Sequence, residues 1–199
     1  LIEMKESIKK INSFILFGIL GDLSIRKLIP AWYYLERDNM LNESLEILGV
    51  GRQDISDSEL KHKIKKALSN SISSEYLDSK IVARLLNRFN YCSCDLQNKD
   101  SYQKLGLKIQ NWKIPMAYYL AISPSLFEVV CDGLSGQGLV TSNCRIVVEK
   151  PIGCLLYTSD AADDSLRVDL GGRRIIKKKK KKIFFKQKTA YEIGVRLVG

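Results

Sequence analysis

A five-residue apolar run, Ser13–Phe17, ends at Gly18, and the chain continues Ile19-Leu20-Gly21-Asp22-Leu23-Ser24 before an amphipathic stretch begins. This junction of strand, glycine turn and helix constrains the chain more than any other feature. A glycine at a strand exit permits a tight turn, and a second one lets backbone approach a bound phosphate. The following helix offers unpaired N–H groups and the positive end of its dipole. Such turns also occur without any ligand, so what surrounds this one matters. Further strands are expected at residues 45–50, 89–94, 116–122 and 145–149, and helices at 28–37, 57–68, 74–88, 100–109 and 125–134. Ser56 and Glu59 have the spacing of a capping box, and Pro124 suits the start of the last of these helices. Strands alternating with helices imply a parallel sheet covered on both faces, a doubly wound α/β domain.

The residues after the second expected strand refine the reading. The chain runs Gly49-Val50-Gly51-Arg52, with no carboxylate until Asp54. In a dinucleotide fold this position reads the adenosine ribose. An acidic side chain there favours NAD through the 2′-hydroxyl, and an arginine accommodates the 2′-phosphate of NADP. Arg52 therefore points to NADP, against the alternative of a solvated loop arginine.

Charge and cysteine usage exclude several other classes. The 199 residues carry 32 Lys/Arg and 22 Asp/Glu, a net charge of +10. Residues 154–199 hold 12 of the basic and 5 of the acidic groups, leaving 20 and 17 in residues 1–153. A nucleic-acid-binding reading would thus rest on the tail alone, mainly the lysine run at 177–182. No nucleic-acid partner is expected. Five cysteines at 92, 94, 131, 144 and 154, with the single histidine His62, fit neither a disulfide framework nor a zinc site. His62 lies among Lys61, Lys63, Lys65 and Lys66 on the expected wet face of its helix. The apolar stretch from Phe14 to Leu20 is too short to span a bilayer, and no signal peptide is visible. A reduced, cytoplasmic setting is expected, with no metal and no membrane.

From Cys154 onward no helical or strand period is sustained. Residues 154–163, 167–176, 185–193 and 196–199 resemble translated sequencing adapters in one continuous frame. The lysine run would then be a run of A bases, and residues 164–166 and 194–195 would fall at index barcodes. On this reading residues 1–153 are an incomplete dinucleotide-binding domain, ending after its fifth strand, and residues 154–199 are a non-native, disordered tail. Ile146 and Val148 on the fifth strand should then be partly bare.

Five phrases, taken in order, resemble the glucose-6-phosphate dehydrogenase family: FGILGDLSIRKLIPAWYYLERDNML, ILGVGRQDIS, YCSCDLQNKDSYQKLG, YYLAISPSLFEVVCDGL and RIVVEKPIG. They span residues 13–153, and Gly-Asp-Leu combined with Glu-Lys-Pro-x-Gly is a specific signature. The resemblance implies a Rossmann-type fold binding NADP, with glucose 6-phosphate as substrate and a homo-oligomer as the full-length protein. It implies that Gly18, Gly21, Asp22 and Leu23 form the phosphate turn and that Arg52 holds the 2′-phosphate. Asp95 and Leu96 would lie near the adenosine. Tyr119 would approach the cofactor from the sheet edge, and Lys150 would contact both nicotinamide and sugar. Ile19 and Leu20 depart from the family's smaller residues, and a bulky side chain there would crowd the turn if it faced inward. Ser123 and Ile152 depart from a proline and a phenylalanine.

The family's catalytic histidine, its aspartate partner and its sugar-phosphate segment follow the Glu-Lys-Pro motif, and no match to them is present in these 199 residues. No catalytic residue is therefore assigned, and the chain by itself is expected to be inactive. The alternatives are a non-catalytic NADP-sensing module of the same fold and, more remotely, a basic nucleic-acid-binding protein.

Overall fold

The computed structural model describes residues 11–148 and the strand segments 166–169, 173–178 and 181–187. Five strands, β1 (Ser13–Phe17), β2 (Glu46–Gly51), β3 (Phe89–Ser93), β4 (Met116–Leu120) and β5 (Cys144–Val148), pair in parallel in the order β3-β2-β1-β4-β5. β1 lies between β2 and β4, and all five of its residues are buried, as an interior parallel strand requires.

Helices α1 (Ile29–Arg37), α2 (Asp57–Ser71) and α3 (Ser79–Asn87) cover one face, and α4 (Lys99–Ile109) and α5 (Phe127–Gly136) cover the other. Phe14 and Leu16 of β1 point into the first core with Trp32, Ile64 and Leu85. Ile15 and Phe17 point into the second with Leu105 and Val130. The period-two alternation of the strand thus feeds two separate cores. Cys92 and Cys94 share the second core, as expected from their spacing, and burial pushes the Cys94 thiol up to about 12. Both are packing residues.

Most elements lie where the sequence places them, and the exceptions have physical causes. The expected helix at 74–88 is broken: Ser74–Tyr76 forms a 3-10 turn, and α3 starts afresh at Ser79. Tyr33 of α1 causes the break. Its hydroxyl donates to the Tyr76 carbonyl and accepts from the Asp78 N–H, each at 2.8 Å. The Asp78 carboxylate then caps α3 by accepting from the N–H groups of Lys80 and Ile81. The capping box of α2 is present: Ser56 N–H donates to Glu59 Oε2 at 2.8 Å, and Glu59 N–H donates to Ser56 Oγ at 3.2 Å.

The larger correction concerns the region after β5. The expectation of no regular structure in residues 154–199 fails at three described segments, β6 (Leu166–Asp169), β7 (Arg173–Lys178) and β8 (Lys181–Gln187). β8 pairs in parallel with β5 through Ile146↔Phe185, Val147↔Lys186 and Val148↔Gln187, and β7 and β6 follow antiparallel. The open edge of β5 carries unpaired N–H and C=O groups, and β8 uses them. Ile146 and Val148, expected to be partly bare, are 2% and 1% exposed. They face the second core, where Val130, Cys131 and Leu134 of α5 cover them.

Candidate functional site

The carboxyl ends of β1, β2 and β3 form one edge of the sheet, next to the point where the strand order reverses between β1 and β4. Ligands of open α/β sheets sit at such a switch point. Gly18 follows β1 with φ +81°, a left-handed conformation that glycine adopts at no steric cost. A Cβ there would overlap the carbonyl oxygen of Ala121, the residue after β4. The turn is therefore pressed against the neighbouring strand with no room for a side chain.

Four hydrogen bonds fix its shape. Gly18 and Ile19 N–H both donate to the Val50 carbonyl, at 2.9 and 3.3 Å, and Gly21 N–H donates to the Gly18 carbonyl at 2.9 Å. The Ser24 hydroxyl, fully buried, donates to the same Gly18 carbonyl at 2.8 Å. Ser24 stands where the third glycine of the usual fingerprint would be, and its hydroxyl clamps the turn from the helix side. The first helical bond runs from Ile25 N–H to Gly21 O, so the N–H groups of Asp22, Leu23 and Ser24 lie ahead of it. A π-turn, Ser24–Leu28, then leads into α1. Free amides, a dipole end and a side-chain-free approach together suit a pyrophosphate.

Ile19 does not crowd the turn. It is completely buried in the first core, against β2. Leu20 and Leu23 are half-buried against the same core. Asp22 is exposed and sits 3.5 Å from Arg26.

Arg52 immediately follows β2. It is exposed, and among the described residues its guanidinium has no hydrogen-bond or ion-pair partner. Asp95 lies just beyond β3 on the adjacent strand end, exposed, with its carboxylate accepting from Gln97 N–H at 3.1 Å. Leu96 is buried in the second core. The phosphate turn, Arg52 and Asp95 thus line up along three neighbouring strand ends.

Tyr119 does not join them. It lies on interior strand β4, is completely buried, and packs on Phe14 with ring centroids 5.8 Å apart. Its side chain points into the first core and away from any exposed sheet edge. Lys150 lies outside the described residues. His62 is exposed on α2. A separate cleft lined by Glu43, Glu46, Arg84 and Lys113 opens at the amino ends of β2 and β4, opposite the phosphate turn. Among the described residues no cluster of His, Cys, Asp or Glu has the makings of a metal site, and no helix is long and apolar enough to cross a membrane.

The strand order, the glycine turn and the helix N-terminus define a dinucleotide-binding domain of the Rossmann type. Comparison with known proteins narrows the class. The family model described as glucose-6-phosphate dehydrogenase, NAD binding domain, matches residues 15–176, which extends past the boundary drawn at residue 153. The chain belongs to this family and carries its nicotinamide-dinucleotide-binding domain. It is 36% identical over 158 residues to glucose-6-phosphate 1-dehydrogenase of Mycolicibacterium smegmatis, covering 77% of this chain and 32% of that protein. It is 32% identical over 145 residues to the enzyme of Dickeya dadantii, covering 73% and 29%. The crystal structure of the Mycobacterium avium enzyme superposes with a TM-score of 0.64 at 32% identity, over 72% of this chain and 30% of that one. A glucose-6-phosphate dehydrogenase solved with its substrate glucose-6-phosphate gives a TM-score of 0.63 at 31% identity, over 72% and 31%. The chain spans roughly a third of the length of these relatives.

Proposed function

We propose that this chain binds NADP as the cofactor domain of an enzyme that oxidises glucose 6-phosphate to 6-phosphogluconolactone. The observation that carries the reading is Arg52 at the end of β2, one strand from the glycine turn, exposed and without a partner among the described residues. The amides of Asp22, Leu23 and Ser24 hold the pyrophosphate, at a turn that Gly18 and Gly21 let fold tightly against the carbonyl of Ala121. Arg52 pairs with the 2′-phosphate, and Asp95 lies beside the adenosine. Bound NADP supplies a hydride acceptor for C1 of the sugar. By the family resemblance, Lys150 contacts the nicotinamide and a sugar hydroxyl.

The residues described here hold the cofactor; they do not move the substrate proton. The only histidine is the solvated His62, remote in sequence from the turn and set among lysines. The family's base and sugar-phosphate segment have no match in these residues, and general-base assistance alone contributes on the order of 10²–10⁴ in rate, so turnover of glucose 6-phosphate by this chain alone should be undetectable. Detectable NADPH production by the purified chain would refute that.

Calorimetric titration of NADP and NAD against the chain and its Arg52→Ala variant tests the cofactor reading. The variant should lose about 1.5–3 kcal/mol of NADP affinity, the strength of a hydrogen bond to a charged group, and keep its NAD affinity. Equal losses for both cofactors would overturn the role of Arg52.

A further inference from the structure

We propose that Tyr91 is a positioning residue for cofactor choice: its buried hydroxyl holds the loop that carries Arg52 in the conformation that meets a 2′-phosphate. The inference rests on the NADP reading above and extends it to a residue that touches no cofactor.

Tyr91 lies on β3, with its backbone paired to Gly49 of β2 and its ring buried in the first core. Its hydroxyl leaves that core and donates to the Gln53 carbonyl at 2.6 Å, one residue beyond Arg52. Its backbone N–H donates to Asp57 Oδ1, also at 2.6 Å, which ties β3 to the first turn of α2. The segment between β2 and α2 is thus gripped at Gln53 and at Asp57. Gly51 completes the arrangement, because a Cβ there would lie 2.8 Å from the Tyr91 oxygen. The Gly51 carbonyl also accepts from Cys94 N–H at 2.9 Å. Arg52 is therefore flanked by two fixed peptides while its own side chain has no partner among the described residues. Burial raises the Tyr91 hydroxyl to about 12, so it remains a proton donor across the working pH range.

A loop fixed before the ligand arrives loses less freedom on binding, and the gain falls on the interaction that the loop makes. Losing the Tyr91 bond should therefore weaken NADP and spare NAD. A second tyrosine supplies the comparison. Tyr102 of α4 donates its buried hydroxyl to the Leu96 carbonyl at 2.9 Å, an equivalent bond on the neighbouring loop, which does not carry Arg52.

The experiment measures the ratio of NADP to NAD affinity on the 199-residue chain and on Tyr91→Phe, Tyr102→Phe, Gly51→Ala and Arg52→Ala. Tyr91→Phe should lower the ratio roughly three- to tenfold, the worth of one net hydrogen bond. Tyr102→Phe should leave the ratio unchanged. Gly51→Ala, which pushes against the same hydroxyl, should lower the ratio in the same direction and decides the matter if Tyr91→Phe does not fold. If Arg52→Ala lowers the ratio but neither Tyr91→Phe nor Gly51→Ala does, the positioning role is wrong and the NADP reading stands. If Arg52→Ala leaves the ratio unchanged, the NADP reading itself falls. A drop with Tyr102→Phe equal to that with Tyr91→Phe would also overturn the proposal, since general loosening would then account for it.

Discussion

Ile19 occupies the space that a side chain at Gly49 would need: a Cβ on Gly49 would lie 2.8 Å from Ile19 Cγ1 and 3.0 Å from its Cβ and Cγ2. The bulky residue at the start of the phosphate turn is thus housed over β2, on the core side, and the approach to the turn stays open. Gly49→Ala should overpack this contact and destabilise the fold by about 1–3 kcal/mol. Ile19→Ala in the same chain should recover part of the loss, because residues in contact are not additive. Urea denaturation of the two single variants and the double variant checks this; simple additivity would show that the two residues do not compete for space.

Ser24→Ala removes the hydroxyl that clamps the Gly18 carbonyl. Affinity for NADP and for NAD should fall together, by about 0.5–1.5 kcal/mol each. Parallel titrations decide it: a loss confined to NADP would place Ser24 at the 2′-phosphate instead of under the pyrophosphate.

Far from the turn, Glu36 is buried between two arginines. It accepts from Arg84 Nε, and from Arg88 Nε at 2.6 Å, while Arg88 also donates to the Asn42 and Leu45 carbonyls at 2.9 and 3.1 Å. Glu36→Ala leaves the Arg88 charge, 13% exposed, without its partner. Breaking such a pair costs about 3–5 kcal/mol. The thermal midpoint should drop sharply while the NADP/NAD ratio holds. An unshifted midpoint would mean that water replaces the carboxylate without penalty.

The α2 capping box gives a pH signature. Hydrogen bonds from Ser56, the backbone N–H first and then the hydroxyl, hold the Glu59 carboxyl below its usual range. Its folded pKa is lowered, so the stability it lends is complete above the unfolded value, about 4.3 for glutamate. That stability is lost as pH falls through the lower folded value. The gap in urea midpoint between the chain and Glu59→Ala should be constant from about pH 7 to about pH 5 and close below about pH 4.3. A gap that persists undiminished at the acid end would rule out the ionised carboxylate as the cap.

The coding origin of residues 154–199 is open to a direct check. Nucleotides after the Gly153 codon are expected to read as sequencing-adapter bases with an interrupting run of A. A coding sequence with no adapter stretch there would make β6–β8 a natural part of this domain.

The five parallel strands are legible in the sequence, the interior ones most clearly because such strands write themselves as apolar runs. β1 and β4 are buried along their whole length. The glycine turn and Arg52 are legible because each answers a local demand. What escapes is set by partners distant in sequence. The break before α3 comes from Tyr33, 43 residues before the carbonyl it binds. Tyr91 reads as an ordinary core aromatic, since nothing local shows that its hydroxyl reaches Gln53, 38 residues away. Tyr119 is ambiguous in the sequence, because a strand tyrosine can serve packing or a ligand equally, and its packing on Phe14 is visible only in the fold. β8 escapes because its place depends on an edge supplied by β5, and β7 and β6 add antiparallel beyond it.

β5 and β8 are joined at only three residue pairs, and β8 lies on the side of the sheet away from β2 and Arg52. The added strands therefore join the sheet with β4 and β5 standing between them and the strand that leads into Gly18, and their hydrogen-bond ladder reaches neither the glycine turn nor Arg52.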